Sequence, residues 1–114
     1  MTTVEGTSPN MIANNLKPFQ PTHPGEVLKD ELEYRGISQR GLAKQIGISY
    51  SVFNEVLNAK RPLSPELAMM MEAALNIDAA PLLAMQNEYD MLMAERDVSF
   101  MERLRQIRRI AAVL

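Results

Sequence analysis

Tyr50, Ser51, Asn54, Glu55 and Asn58 form a set whose types and spacing suit the reading of base edges. At about 100° per residue, a helix through them turns Ser51, Asn54, Glu55 and Asn58 to one side and Phe53, Val56 and Leu57 to the other, with Val52 at the edge. The outer face is thus short and mostly uncharged, with hydrogen-bonding ends, where an ordinary surface helix carries more Lys and Glu. Such side chains can enter a major groove. Asn54 can pair bidentately with adenine, and Tyr50 can meet a thymine methyl or a phosphate. Glu55 can accept from cytosine or keep wrong contacts away. Lys60 and Arg61 follow where this helix should end. They suit a helix C-terminus as simple capping cations, but beside a polar groove face they are better read as phosphate contacts.

These residues need a scaffold, and the preceding stretch supplies one. Ser38 can cap a helix that carries Leu42, Ala43 and Ile46 at the spacing of a buried face. Gly47 ends it, since glycine takes the left-handed conformation of a sharp reversal without a Cβ penalty. Ser49 can cap the next helix, which begins at Tyr50, and is also counted among the DNA-contact candidates. Two short helices around a glycine turn constitute a helix-turn-helix. Arg40 and Lys44, on the first of the pair, are expected to hold phosphates rather than read bases.

Further helices are predicted on both sides. Pro24 suits a first turn, and Val27, Leu28 and Leu32 are expected to point inward until Gly36 stops the helix. Ser64-Pro65-Glu66 opens a fourth helix with Leu67, Met70, Met71, Ala74 and Leu75 at helical spacing. Asp78 can cap a fifth that carries Pro81 in its first turn and Leu82, Met85, Tyr89, Leu92 and Met93 along one side. Beyond Asp97, a capping Ser99 precedes Phe100, Leu104, Ile107, Ala111 and Leu114, opposed by Arg103, Arg105, Arg108 and Arg109. With no strand-like alternation, the expected fold is all-α: a five-helix helix-turn-helix domain over residues 22–97 with an extra basic amphipathic helix over 98–114. Residues 1–21 lack periodicity and are expected to form a flexible arm. The arm is either inert or, through Met11, Ile12, Leu16 and Phe19, able to order against a partner. The final helix has three readings, of which packing within a homodimer leads, ahead of docking on another protein and of gripping a membrane surface.

A chain of 114 residues fits one domain. The formal charge of −2 runs against the usual basic character of DNA-binding domains, but its distribution does not. Residues 35–61 carry Arg35, Arg40, Lys44, Lys60 and Arg61 against Glu55 alone, whereas residues 62–97 carry seven acids against Arg96. Exposed charges more than about 10 Å apart are largely screened, so a duplex would feel the basic face more than the total. There is no cysteine. This fits a reducing cytoplasm, and the absence of a leader-like or bilayer-length apolar run argues against secretion or a membrane.

No phosphate-binding glycine loop, dinucleotide fingerprint or HExxH occurs, so no enzyme and no cofactor are expected. The lone His23 has no second ligand and reads as helix-entry structure rather than a metal or catalytic site. Glu26, Asp30, Glu31 and Glu33 are most simply a solvated face. The nine methionines, three of them at 69–71, read as adaptable core filler, with some available to a protein interface.

Three segments carry a resemblance. His23-Pro-Gly-Glu-Val-Leu28, Ser38-Gln-Arg-Gly-Leu-Ala43 and Asn54-Glu-Val-Leu-Asn-Ala-Lys-Arg61 are similar to the HigA-type antitoxins, small helix-turn-helix regulators of the lambda-repressor-like (XRE) class, and the similarity extends through Leu67–Tyr89. It departs at Val52, where the family often has Arg, and at Leu82 and Leu83, where an aromatic pair is common. The resemblance implies that Gln39 anchors a phosphate and supports the reading helix. It further implies a dimer on a pseudo-palindromic operator, repression of the shared promoter, and neutralisation of a co-encoded HigB-type mRNA interferase toxin. A free-standing regulator without a toxin is the alternative.

Overall fold

The computed structural model describes residues 21–114, so residues 1–20 of the arm expected over 1–21, its apolar residues among them, lie outside the described part, while its last residue, Pro21, is buried. Six helices and no strand occur there: α1 (Pro24–Arg35), α2 (Gln39–Ile46), α3 (Tyr50–Leu57), α4 (Pro65–Leu75), α5 (Ala79–Glu95) and α6 (Val98–Ala111). None is long and apolar enough to cross a membrane.

Local chemistry explains most of the boundaries. Ser38, Ser49 and Ser64 cap α2, α3 and α4, each accepting an amide of the first turn. Gly36 and Gly47 close α1 and α2 in the left-handed region, with φ of 67° and 77°. Two boundaries differ from expectation. Asp78 occupies the cap position of α5 but makes no side-chain bond there. The cap of α6 is Asp97, whose Oδ1 accepts from the Phe100 amide at 3.1 Å, and Ser99 sits inside the first turn. Asp is as good a cap as Ser and adds negative charge at the positive end of the helix dipole, so the earlier residue wins.

One core joins five of the helices. Leu28 and Leu32 of α1, Leu42 and Ala43 of α2, and Phe53, Val56 and Leu57 of α3 meet Leu67, Ala68, Met71 and Leu75 of α4 and Ala79 and Leu82 of α5, with Leu63 of the α3–α4 loop among them. Leu82 is buried and Leu83 packs against the same cluster. The inward set is narrower than the sequence pattern suggested. Val27 is 38% exposed, Met70 and Ala74 lie outside, and Ala68 goes in instead. A short helix crossing a neighbour buries the strip at the crossing, not every apolar position of its face. α6 buries none of its residues.

Gly25 explains how α1 approaches the reading helix. A Cβ at this position would lie 1.8 Å from the Val56 carbonyl oxygen, so the two backbones meet where only glycine fits. His23 completes that corner. It is 1% exposed, its Nδ1 accepts from the Gly25 amide at 2.9 Å, and its ring stands edge-on to Tyr89 at 4.9 Å. The expected helix-entry residue is therefore a buried N-cap that ties α1 to α5.

Candidate nucleic-acid interface

The glycine turn sets α3 against α2 so that Phe53, Val56 and Leu57 are buried and Ser51 and Val52 face outward, with Asn54, Glu55 and Asn58 half-buried beside them. The two faces assigned from the spacing are thus the two faces of the folded helix. Val52 lies on the rim of an apolar hollow shared with Met70 of α4.

Within the face, side chains constrain one another. Asn54 Nδ2 donates to Gln39 Oε1 at 3.1 Å, joining the N-terminus of α2 to the middle of α3. The second N–H and the Oδ1 of Asn54 stay available, which is the donor–acceptor pair that adenine N7 and N6 require. The Gln39 amide nitrogen has both protons left to offer a phosphate beside the free amides of the α2 N-terminus. Arg40 stacks over the Tyr50 ring, its guanidinium carbon 4.0 Å from the ring centroid. That cation–π contact steadies a charge at the junction of the two helices.

Glu55 and Asn58 are placed differently from free readers. Arg61 grips the Glu55 carboxylate through Nε at 2.9 Å and Nη2 at 2.7 Å. The pair is exposed and worth under about 1 kcal/mol, yet it cancels the only acid of the face. Asn58 is the C-cap of α3. Its Nδ2 donates to the Asn54 carbonyl at 2.9 Å and its Oδ1 accepts from Lys29 Nζ at 2.9 Å. Ser49 spends its hydroxyl on the α3 cap, 3.3 Å from the Val52 amide. Ser51, Lys44 and Lys60 are exposed.

The sequence reading missed what holds the basic loop. Ala59 turns it with a φ of 61°, and the Lys60 amide returns to the Glu55 carbonyl at 2.8 Å. Behind it, the buried Gln86 of α5 accepts from the Leu63 amide at 2.8 Å and donates to Asp90 at 2.9 Å. His23 lies beside the Arg61 backbone on the other side, lining one hollow with Lys60, Arg61 and Gln86. The buried Gln86 thus ties down the end of a loop that His23, the cap of α1, backs from the other side, and whose cations are exposed. Lys29, from α1, joins the same rim through Asn58. A buried Gln on a helix face otherwise apolar at helical spacing was the available signal for the first of these contacts, and nothing in the spacing marked Lys29.

The chain matches the helix-turn-helix family over residues 28–82. Virulence-associated protein I of Dichelobacter nodosus is 38% identical over 76 residues, which span 66% of this chain and 70% of that protein. Among solved structures, an addiction module antidote protein of the HigA family from Coxiella burnetii is 28% identical, with a TM-score of 0.64 over 75% of this chain and 95% of that one. The Pseudomonas aeruginosa antitoxin HigA, solved with the higBA promoter, is also 28% identical, with a TM-score of 0.63 over 78% and 92% of the two chains. Joined with the capped helix pair and its polar outer face, these similarities show that the chain belongs to the XRE-type helix-turn-helix family, which it shares with the HigA-type antitoxins.

Proposed function

We propose that the chain is an antitoxin and transcriptional repressor. It binds a pseudo-palindromic operator as a homodimer, represses its own operon from the cytoplasm, and neutralises a co-encoded HigB-type mRNA interferase. The observation that carries the DNA half is the Gln39–Asn54 hydrogen bond, which orders the Asn54 amide, with one N–H and its Oδ1 left over, on a face ringed by Arg40, Lys44, Lys60 and Arg61. In this reading Tyr50, Ser51 and Asn54 meet base edges. Gln39, Arg40, Lys44, Lys60 and Arg61 hold phosphates, while Ser49, Glu55 and Asn58 order the face. The reading helices of the two protomers sit about 34 Å apart, one DNA turn. The antitoxin half rests on the relatives, whose solved members include an antitoxin on its promoter and an addiction module antidote.

Binding to the DNA upstream of its own gene, against scrambled DNA and across a salt series, tests the first half. Selective binding that weakens with salt and is lost in Asn54→Ala/Arg61→Ala supports it, and equal affinity for both DNAs refutes it. Co-expression with the neighbouring gene tests the second. Growth arrest by that gene alone, relieved by this chain, supports an antitoxin. A neighbour without toxicity favours the free-standing regulator.

A further inference from the structure

Val52 is an apolar side chain on the outward side of α3, where its neighbours are polar. It is 37% exposed and belongs neither to the core nor to the half-buried residues packed against it. Helix propensity does not account for it either, since a β-branched residue ranks below Ala, Lys or Gln at an exposed helical position. As the third residue of α3 it lies in the first turn, the part of a reading helix that meets base edges. Asn54 is bonded to Gln39 on the α2 side, whereas Val52 lies on the α4 side, lining a hollow of about 440 Å³ with Ile48 and Met70. The two side chains stand about 160° apart around the helix, so they bracket the outer face.

We infer that Val52 reads a thymine through its C5 methyl group. The polar side chains one turn away are already engaged. The Ser49 hydroxyl, three residues before, accepts from the Val52 amide at 3.3 Å, and the Glu55 carboxylate, three residues after, is held by Arg61 at 2.7 Å. Beside Val52, the hollow offers the apolar side chains of Ile48, Val56 and Met70. A base edge set against this corner loses water and meets few hydrogen-bonding partners. Adenine N6, cytosine N4 or guanine O6 would be left unpaired there, whereas a methyl group needs no partner. Among the four bases, thymine alone carries one in the major groove. Tyr50, the other residue able to meet such a methyl, has one face of its ring taken by Arg40. The inference rests on the operator-binding reading and adds a contact that fixes one further base pair of each half-site.

Deoxyuridine pairs as thymine does but lacks the methyl, so it isolates this contact. The segment bound upstream of the chain's own gene is mapped by footprinting, and each thymine in it is replaced singly by deoxyuridine. At one thymine of a half-site the native chain should bind about fourfold more weakly (about 0.8 kcal/mol, the worth of one buried methyl). Val52→Ala, shorter by both methyls, should bind the thymine and deoxyuridine duplexes alike at that position and respond as before at the others. Its helicity should match that of the native chain, because Val52 is exposed. If it does not, Val52→Gln, a stronger helix former with a polar end, is read in its place with the same expectation. Selective binding to the upstream DNA with no thymine sensitive to loss of its methyl overturns the proposal and leaves the operator reading standing. So does a sensitivity that persists unchanged in Val52→Ala, which assigns the methyl to another residue such as Tyr50. Equal affinity for upstream and scrambled DNA overturns the operator reading, and the proposal with it.

Discussion

The Arg61–Glu55 pair makes the groove face conditional on a single cation. Removing Arg61 subtracts a phosphate contact and also exposes a carboxylate that the duplex repels. Arg61→Ala should therefore weaken operator binding by more than Lys60→Ala, and Glu55→Gln in the Arg61→Ala background should restore part of the loss. Titrations of the three variants on one operator check this, and additive effects would exclude the coupling. Asn54 is coupled in another way, through Gln39. Asn54→Ala should cost about 1–3 kcal/mol of discrimination at one base pair while leaving the helices folded. Selection from a randomised site library reads that change, and an unaltered preference at every position would argue against Asn54 as a reader. The types and spacing of these residues marked a polar face. The cap role of Ser49 was legible there as well. That Asn58 spends its side chain on a cap, and that Glu55 is held by Arg61, depends on distances across turns that spacing does not encode.

Two backbone positions set the element scale. Ala59 is left-handed without being glycine, a conformation that costs an alanine roughly 1–2 kcal/mol. Ala59→Gly should therefore stabilise the fold by about 1 kcal/mol, part of the relief being offset by the greater freedom of glycine in the unfolded chain. A higher midpoint in urea denaturation with an unchanged slope is the expected result. Gly25 is the opposite case. The Val56 carbonyl leaves no room for a methyl group, so Gly25→Ala must push α1 off α3 and should cost about 3 kcal/mol, read by the same denaturation. Nothing in the sequence reading singled it out beyond its place in the His23–Leu28 segment. The close approach exists because α1 crosses α3 there, a fact of packing rather than of local propensity.

For the molecule as a whole, His23 couples stability to pH. Burial holds its imidazole below the ordinary value, opposed by the nearby Glu26 and Asp90 carboxylates and by the Arg61 backbone. Its Nδ1 accepts from the Gly25 amide, and protonation would turn that acceptor into a donor. The unfolded chain thus binds the proton more readily than the folded one. The stability is fully present above about pH 6.5 and declines as the pH falls below it. Denaturation midpoints at pH 7.5 and 5.5 should differ for the native chain and differ less for His23→Asn, which keeps a cap without a titrating ring. Read alone, the sequence determined the all-helical architecture, the order of the helices, most of their caps and the two faces of α3. These are local facts, fixed by side chains hydrogen-bonding within a turn and by apolar residues recurring at the helical period. Only the tertiary structure decided which apolar residues go in, and that His23 and Gln86 lie behind the Lys60–Arg61 loop. Those outcomes depend on where helices cross, and a crossing brings together residues whose separation along the chain carries no period.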